Sequence, residues 1–257
     1  MKKIIFLVVA LTGLISLLAI GSSCVGRVVG SGKIITKDYN FTNFTEVDIS
    51  SFLKYEISRS DSFSIKASTY ENIIDHLDIT QSGKTLLVRF KPGVFNTDTN
   101  ITITMPELSK LVVSGASRGS TKGFQSSNQF DLEVSGASQL EMDVEAGNTK
   151  VNVSGASKVT GNLKAGETRI VVSGASGCDI SGSAGLTTVE VSGASHFDSL
   201  NFHMQNANIN VSGASRAAIY TSGTLNLDVT GASTLDYSGN PILSKVKVSG
   251  ASKLNSK

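Results

Sequence analysis

The 257-residue sequence contains no tryptophan, three prolines, two cysteines and three histidines. So few thiols and imidazoles, at no mutual spacing that suits zinc, exclude disulfide-stapled and zinc-ribbon folds. Charged residues are 17% of the chain and nearly cancel, at a formal net +2. That balance leaves neither a basic footprint for nucleic acid nor an acidic tail. No His-Glu-x-x-His, phosphate-binding glycine loop, nucleophile elbow or calcium nonapeptide occurs. Beyond the N-terminus no segment carries a helical period. What is present is 25 glycines among frequent Ser, Thr, Asn and Val, the composition of a turn-rich all-β chain.

The N-terminus stands apart. Lys2 and Lys3 precede an apolar run from Ile4 to Ile20, followed by Gly21, Ser22 and Ser23. This is the layout of a signal peptide over residues 1–23 rather than a membrane span, because no second apolar segment follows. Leu17-Leu18-Ala19-Ile20-Gly21-Ser22-Ser23-Cys24 resembles a bacterial lipoprotein lipobox, with Gly21 where an aliphatic residue is usual. The resemblance implies that Cys24 is lipidated, residues 24–30 are a tether, and the protein is exported to the bacterial cell envelope as an outer-membrane lipoprotein. Each methylene buried in the bilayer adds about 0.8 kcal/mol to such an anchor.

From residue 111 the chain repeats itself. Ser-Gly-Ala-Ser begins at Ser114, Ser135, Ser154, Ser173, Ser192, Ser212 and Ser249, and Thr230 opens a Thr-Gly-Ala-Ser variant. Successive glycines lie 18 to 21 residues apart, mostly 19. Before each copy stands an apolar-polar-apolar triplet such as Leu132-Glu133-Val134 or Val189-Glu190-Val191, the period of a strand with one buried face. Glycine then permits a bend, and the following alanine is expected to point inward under the corner.

A period near 19 residues predicts a parallel β-solenoid with three strands of four to five residues per coil. Eight coils stacked about 4.8 Å apart would form a rod about 38 Å long. A β-propeller needs roughly twice the period, and the leucine-rich pattern is absent. Residues 31–110 also alternate, at Val47-Asp48-Ile49, Tyr55-Glu56-Ile57 and Ile101-Thr102-Ile103, and read as irregular first coils that close one end. At the other end Lys245, Lys247, Lys253 and Lys257 crowd the last coil, where charge discourages strand addition.

Gly30-Ser31-Gly32-Lys33, the later Phe44-Thr45-Glu46-Val47-Asp48-Ile49-Ser50 and the iterated Val-Ser-Gly-Ala-Ser segments resemble the head GIN domain family of autotransporter adhesins. The resemblance spans residues 31–257, divided into the first coils (31–110) and the repeats (111–257). It implies a right-handed, single-stranded, three-sided parallel β-helix of the pectate-lyase-like type, and an exported protein with an adhesion role.

Sites for chemistry are sparse. Cys178 falls in an apolar column, four residues past each repeat glycine, and reads as a core thiol. His76, His196 and His203 make no ligand set, although the last two share a coil. Asp131, Glu133, Glu141, Asp143 and Glu145 could serve a carbohydrate-active enzyme, but alternation on a strand places them on a solvated face. No catalytic residue, metal site or cofactor is expected. Three residues past each glycine lie Arg118, Gln139, Lys158, Gly177, His196, Arg216, Thr234 and Lys253, a column with no acid beside serines such as Ser117, Ser138 and Ser157. Arg118, Lys158, His196, Arg216 and Lys253 are therefore the candidate contacts to an extracellular or envelope glycan or protein. The remaining partner is the membrane, through the lipid anchor. A structural or assembly role in the envelope uses the same surface.

Overall fold

The computed structural model describes residues 28–95 and 98–257. Among these, one three-residue 3-10 turn, Ile74–His76, is the only helix. The apolar pairs before each corner build one inner wall. Val134, Val153, Val172, Val191, Val211, Val229 and Val248 stand in a single parallel register column, and all but the last are buried. On the strands that leave each corner, Leu140, Val159, Cys178, Phe197, Ala217 and Leu235 form a second buried column. Each buried Val or Leu contributes about 1.5–3 kcal/mol, and its cover comes from the coils on either side.

The ladder of a coil runs in two stretches. Gln139–Glu145 leaves the corner and Thr149–Val153 returns to it. In Lys158–Val172, Gly177–Val191 and His196–Val211 the two merge into one. The bend at Gly147-Asn148 becomes ladder there, since Gly166 N–H donates to the Gly147 carbonyl and Ala165 registers with Ala184.

The corner differs from expectation. Every repeat alanine is exposed, and the serine after it is buried in all copies but the last, where Ser252 is half-buried. The glycine adopts a left-handed backbone, φ +78° at Gly174, which carries both Gly and Ala around the outside before the pleat resumes at serine. A Cβ at Gly174 would lie 2.5 Å from the Gly155 carbonyl oxygen. That carbonyl is the acceptor for Ala175 N–H at 2.8 Å, so the coil-to-coil ladder continues through the corner and leaves no room for a side chain. The buried serines reinforce it: Ser195 Oγ donates to the Gly174 carbonyl at 3.3 Å, and Ser215 Oγ to Gly193 at 3.3 Å.

Residues 31–110 form coils and a cap, in an order unlike that of the repeats. The coil made of Glu46–Ile49 and Lys54–Arg59 lies between the later coil Thr85–Phe90/Asn100–Met105 and the first repeat coil: Ile49 registers with both Val88 and Val113. The parallel stack ends where antiparallel strands cover it. Leu77–Ser82 lies on Thr85–Phe90, Ser64–Tyr70 on Asn100–Met105, and Ile34–Tyr39 on Ser64–Tyr70. Val28 and Val29, expected in the tether, pair with Val94 and Phe95.

Candidate functional site

The post-corner strands carry the polar column on their outer face. Register makes it continuous through Arg118, Gln139, Lys158, Gly177, His196, Arg216, Thr234 and Lys253. The structure extends it beyond the repeats to Lys54, which registers with Arg118, and to Asn100. Lys54 was legible only to a repeat search tolerant of glycine loss, because its corner reads Ser50-Ser51-Phe52-Leu53. There Ser51 and Phe52 take positive φ, +74° and +62°, and the Phe52 side chain stands 60% exposed. The serines expected beside the column, Ser117, Ser138 and Ser157, are buried behind it and present no hydroxyl to solvent.

Two residues further along each strand runs a second outer column: Glu56, Ser120, Glu141, Thr160, Asp179, Asp198, Ala218, Asp236 and Asn255. Asp179 of this column and Asp98, just before the strand Asn100–Met105, engage part of the basic column. Asp179 lies 3.0 Å from Lys158 Nζ and 3.9 Å from His196 Nε2, and Lys54 Nζ meets Asp98 at 2.6 Å. Arg118, Arg216 and Lys253 form no salt bridge among the described residues. Beside Arg118 the two columns border a depression of about 550 Å³, lined by Lys54, Glu56, Asn100, Thr102 and Lys122 among others. Its floor includes Gly119, where a Cβ would run into Tyr55. Around this depression the face alternates cation, anion and hydroxyl, an arrangement suited to many dispersed hydrogen bonds rather than to one concentrated charge.

Other candidates resolve separately. Cys24 lies outside the described residues. Cys178 is fully buried, and burial, assisted by the Asp179 charge, pushes its thiol up to about 12. The ring of His203 stacks against Tyr220 at 4.6 Å, away from His196, so the two histidines do not face one another. The five acids split between faces: Glu133 pairs with Lys110 at 2.9 Å, Glu145 with Lys164 at 3.9 Å, and Asn162 donates to Asp143. Asp48 is held above the usual carboxylate range by burial, against the lowering pull of Arg89 and Lys110. Among the described residues no group of three or more His, Cys, Asp or Glu could hold a metal ion, and no helix is long and apolar enough to cross a membrane.

Residues 43–241 match the family model described as "Putative auto-transporter adhesin, head GIN domain". Solved structures share the fold at low identity. A "putative adhesin" from Parabacteroides distasonis aligns at TM-score 0.83 and 17% identity, over 89% of this chain and 99% of that one. Another from Parabacteroides merdae aligns at 0.84 and 18%, over 90% and 98%. A "putative lipid binding protein" from Parabacteroides distasonis aligns at 0.85 and 17%, over 90% and 99%. No curated protein matches the sequence.

Proposed function

The chain belongs to the head GIN domain family, and from that premise we propose that it is a non-catalytic surface-binding module, exported and held to the cell envelope through Cys24. Its ligand is an extended, hydroxyl-rich and essentially neutral glycan lying along the post-corner face.

The observation that carries this reading is the paired register of the two outer columns. A basic column alone would suit a polyanion, but its acidic neighbour cancels most of that field. Sugar hydroxyls both donate and accept, so Arg118, Gln139 and Arg216 can donate to them while Glu141 and Asp198 accept. Coils about 4.8 Å apart repeat at close to the length of one pyranose residue, so a linear polymer can meet equivalent groups coil after coil. Many weak contacts in series give retention without a deep pocket.

The test is retention on immobilised neutral and acidic polysaccharides, for the wild type and for Arg118→Ser/Lys158→Ser/Arg216→Ser. Retention on a neutral polymer that the triple variant loses, and that changes little with salt, is the expected result. Unchanged retention in the variant would remove the reading. For the anchor, Cys24→Ser should move the protein from the membrane to the soluble fraction.

A further inference from the structure

The last coil is built like the others and covered like none of them. Strand Ile242–Val248 is exposed along its whole length, whereas the equivalent strand one coil below alternates with buried residues. Val246 and Val248 are 49% and 42% exposed, against 4% and 0% for Leu227 and Val229, their register partners. Among the described residues the strand pairs only with Thr224–Val229, and Lys253–Ser256 only with Thr234–Ser238, so each has one free edge there. A free edge beside an apolar surface is a template for one more strand.

The charge pattern inside the stack says what that strand carries. On the strands that enter each corner, a cation with an acid two residues further along on the next coil forms a salt bridge with it. On the post-corner face Lys158 does so, whereas Arg118, with Glu141 at that offset, and Arg216, with Asp236, do not among the described residues. Lys110 meets Glu133 at 2.9 Å, Arg169 meets Glu190 at 2.8 Å, and on the post-corner face Lys158 meets Asp179 at 3.0 Å. Lys150 tests the rule: the next coil offers Val171 at that place, and Lys150 forms no salt bridge among the described residues. Lys245 occupies the column of Lys110, Lys150 and Arg169, and Lys253 the column of Lys158. Neither forms a salt bridge among the described residues, whereas Lys247 and Lys257 are already satisfied from the coil below by Asp228 and Asp236.

We propose that this end receives a strand–corner–strand segment of another polypeptide, added in parallel. Its apolar residues cover Val246, Val248 and Leu254, a carboxylate across from Lys247 reaches Lys245, and a second across from Asn255 lies beside Lys253. A second copy presenting this same end would set four lysines against four, and like charges across a strand pair are destabilising. The lysines thus keep copies apart while admitting an acidic partner. The site adjoins the glycan face at Lys253 but takes a polypeptide strand rather than a glycan.

The chain's own residues 126–145 supply a probe. In register on the last coil, Leu132 and Val134 would cover Val246 and Val248, Leu140 would cover Leu254, and Glu133 and Glu141 would stand across from Lys247 and Asn255. The labelled peptide is titrated with the full-length protein in detergent micelles and followed by fluorescence anisotropy. Saturable binding is expected, weakened about tenfold by Lys245→Glu/Lys253→Glu. A peptide with Glu133→Lys/Glu141→Lys should restore binding to that variant. Absence of saturable binding, or equal binding by wild type and variant, would overturn the proposal. So would a concentration-dependent dimer in analytical ultracentrifugation, which would assign the end to a second copy.

Discussion

The two ends of the solenoid solve the same problem in opposite ways. At the N-terminal end the parallel stack is closed by antiparallel strands, and the core beneath them, including Leu86, Val88 and Ile101, is buried. At the C-terminal end the ladder stops at Ile242–Val248, with its inner residues in contact with solvent. The repeat specifies how one coil stacks on another, but it contains no instruction for stopping. Termination requires residues that break the period. The segment 60–84, with its turns and reversed strands, does so at one end. At the other the period is kept and only the charge changes.

The strongest way to probe that contrast is at glycines. Gly174 and Gly83 both have positive φ, +78° and +59°. Around Gly83 a Cβ would meet nothing within 4 Å, whereas at Gly174 it would strike the backbone of the coil below. Gly83→Ala should therefore cost only the left-handed strain, about 1–2 kcal/mol. Gly174→Ala adds a clash that only separating two coils can relieve, and should cost about 3 kcal/mol or more. Urea unfolding of the two variants measures the difference; equal losses would mean that the corners are not packed coil on coil.

Next in size is the valine column, where one residue type samples both environments. Val191→Ala, in the middle of the stack, loses two buried methyl groups and leaves a cavity, for about 2–3 kcal/mol. Val248→Ala removes the same atoms from a half-exposed site and should cost under about 1 kcal/mol. If Val248→Ala costs as much as Val191→Ala in the isolated protein, the last coil is covered in solution. The comparison of the two ends then fails.

Much of this was legible in the sequence because register in a solenoid is set by spacing. Residues 19 apart meet, so the buried columns through Val153 and Cys178 and the outer column through Arg118 and Lys158 could be read by counting. What could not be counted was rotation about the corner. Whether Ala175 or Ser176 faces inward depends on the left-handed φ of Gly174, and alternation carried through that residue gives the wrong parity. The placement of Thr85–Phe90 outside the earlier coil was equally hidden. Residues 31–110 have no period, and strand order there follows from hairpins whose partners are distant in sequence. The acidic column is illegible for a third reason: its charges are interrupted by Ser120, Thr160 and Ala218, so no single coil displays it.

Cys178 reports on the middle of the stack without changing its packing. With its thiol held near 12 by burial and by Asp179, the folded protein keeps the group protonated and shielded. Its reaction with a thiol reagent at pH 8 should run more than about a hundredfold slower than in urea, paced by global opening. Because the folded thiol binds its proton more tightly than the unfolded one, the linked stability is intact below the ordinary thiol range. It is lost as pH rises through and above that range. Fast labelling under native conditions would show that coils in the middle open independently.

The smallest effect belongs to the open end and has the opposite pH sense. The Asp236 carboxyl is held below its ordinary range, first by the hydrogen bond from Asn255 and then by Lys257. Both donors lie on or next to the last strand, at 2.7 and 2.9 Å, so the carboxylate ties that strand to the coil below. A depressed folded value means that this tie is present above the ordinary carboxylate range and is lost as pH falls through it. The Lys257 partner is half exposed and solvent screens the pair, so global stability should barely move. Local fraying should respond instead. After correction for the intrinsic pH dependence of exchange, the amides of Lys253–Ser256 should lose protection between about pH 5 and pH 3, while those of the valine column keep theirs. Asp236→Asn should show the low-pH behaviour at neutral pH. Uniform loss along the whole stack would instead make the last coil part of a single cooperative unit, and the free edge would then be as rigid as the interior it extends.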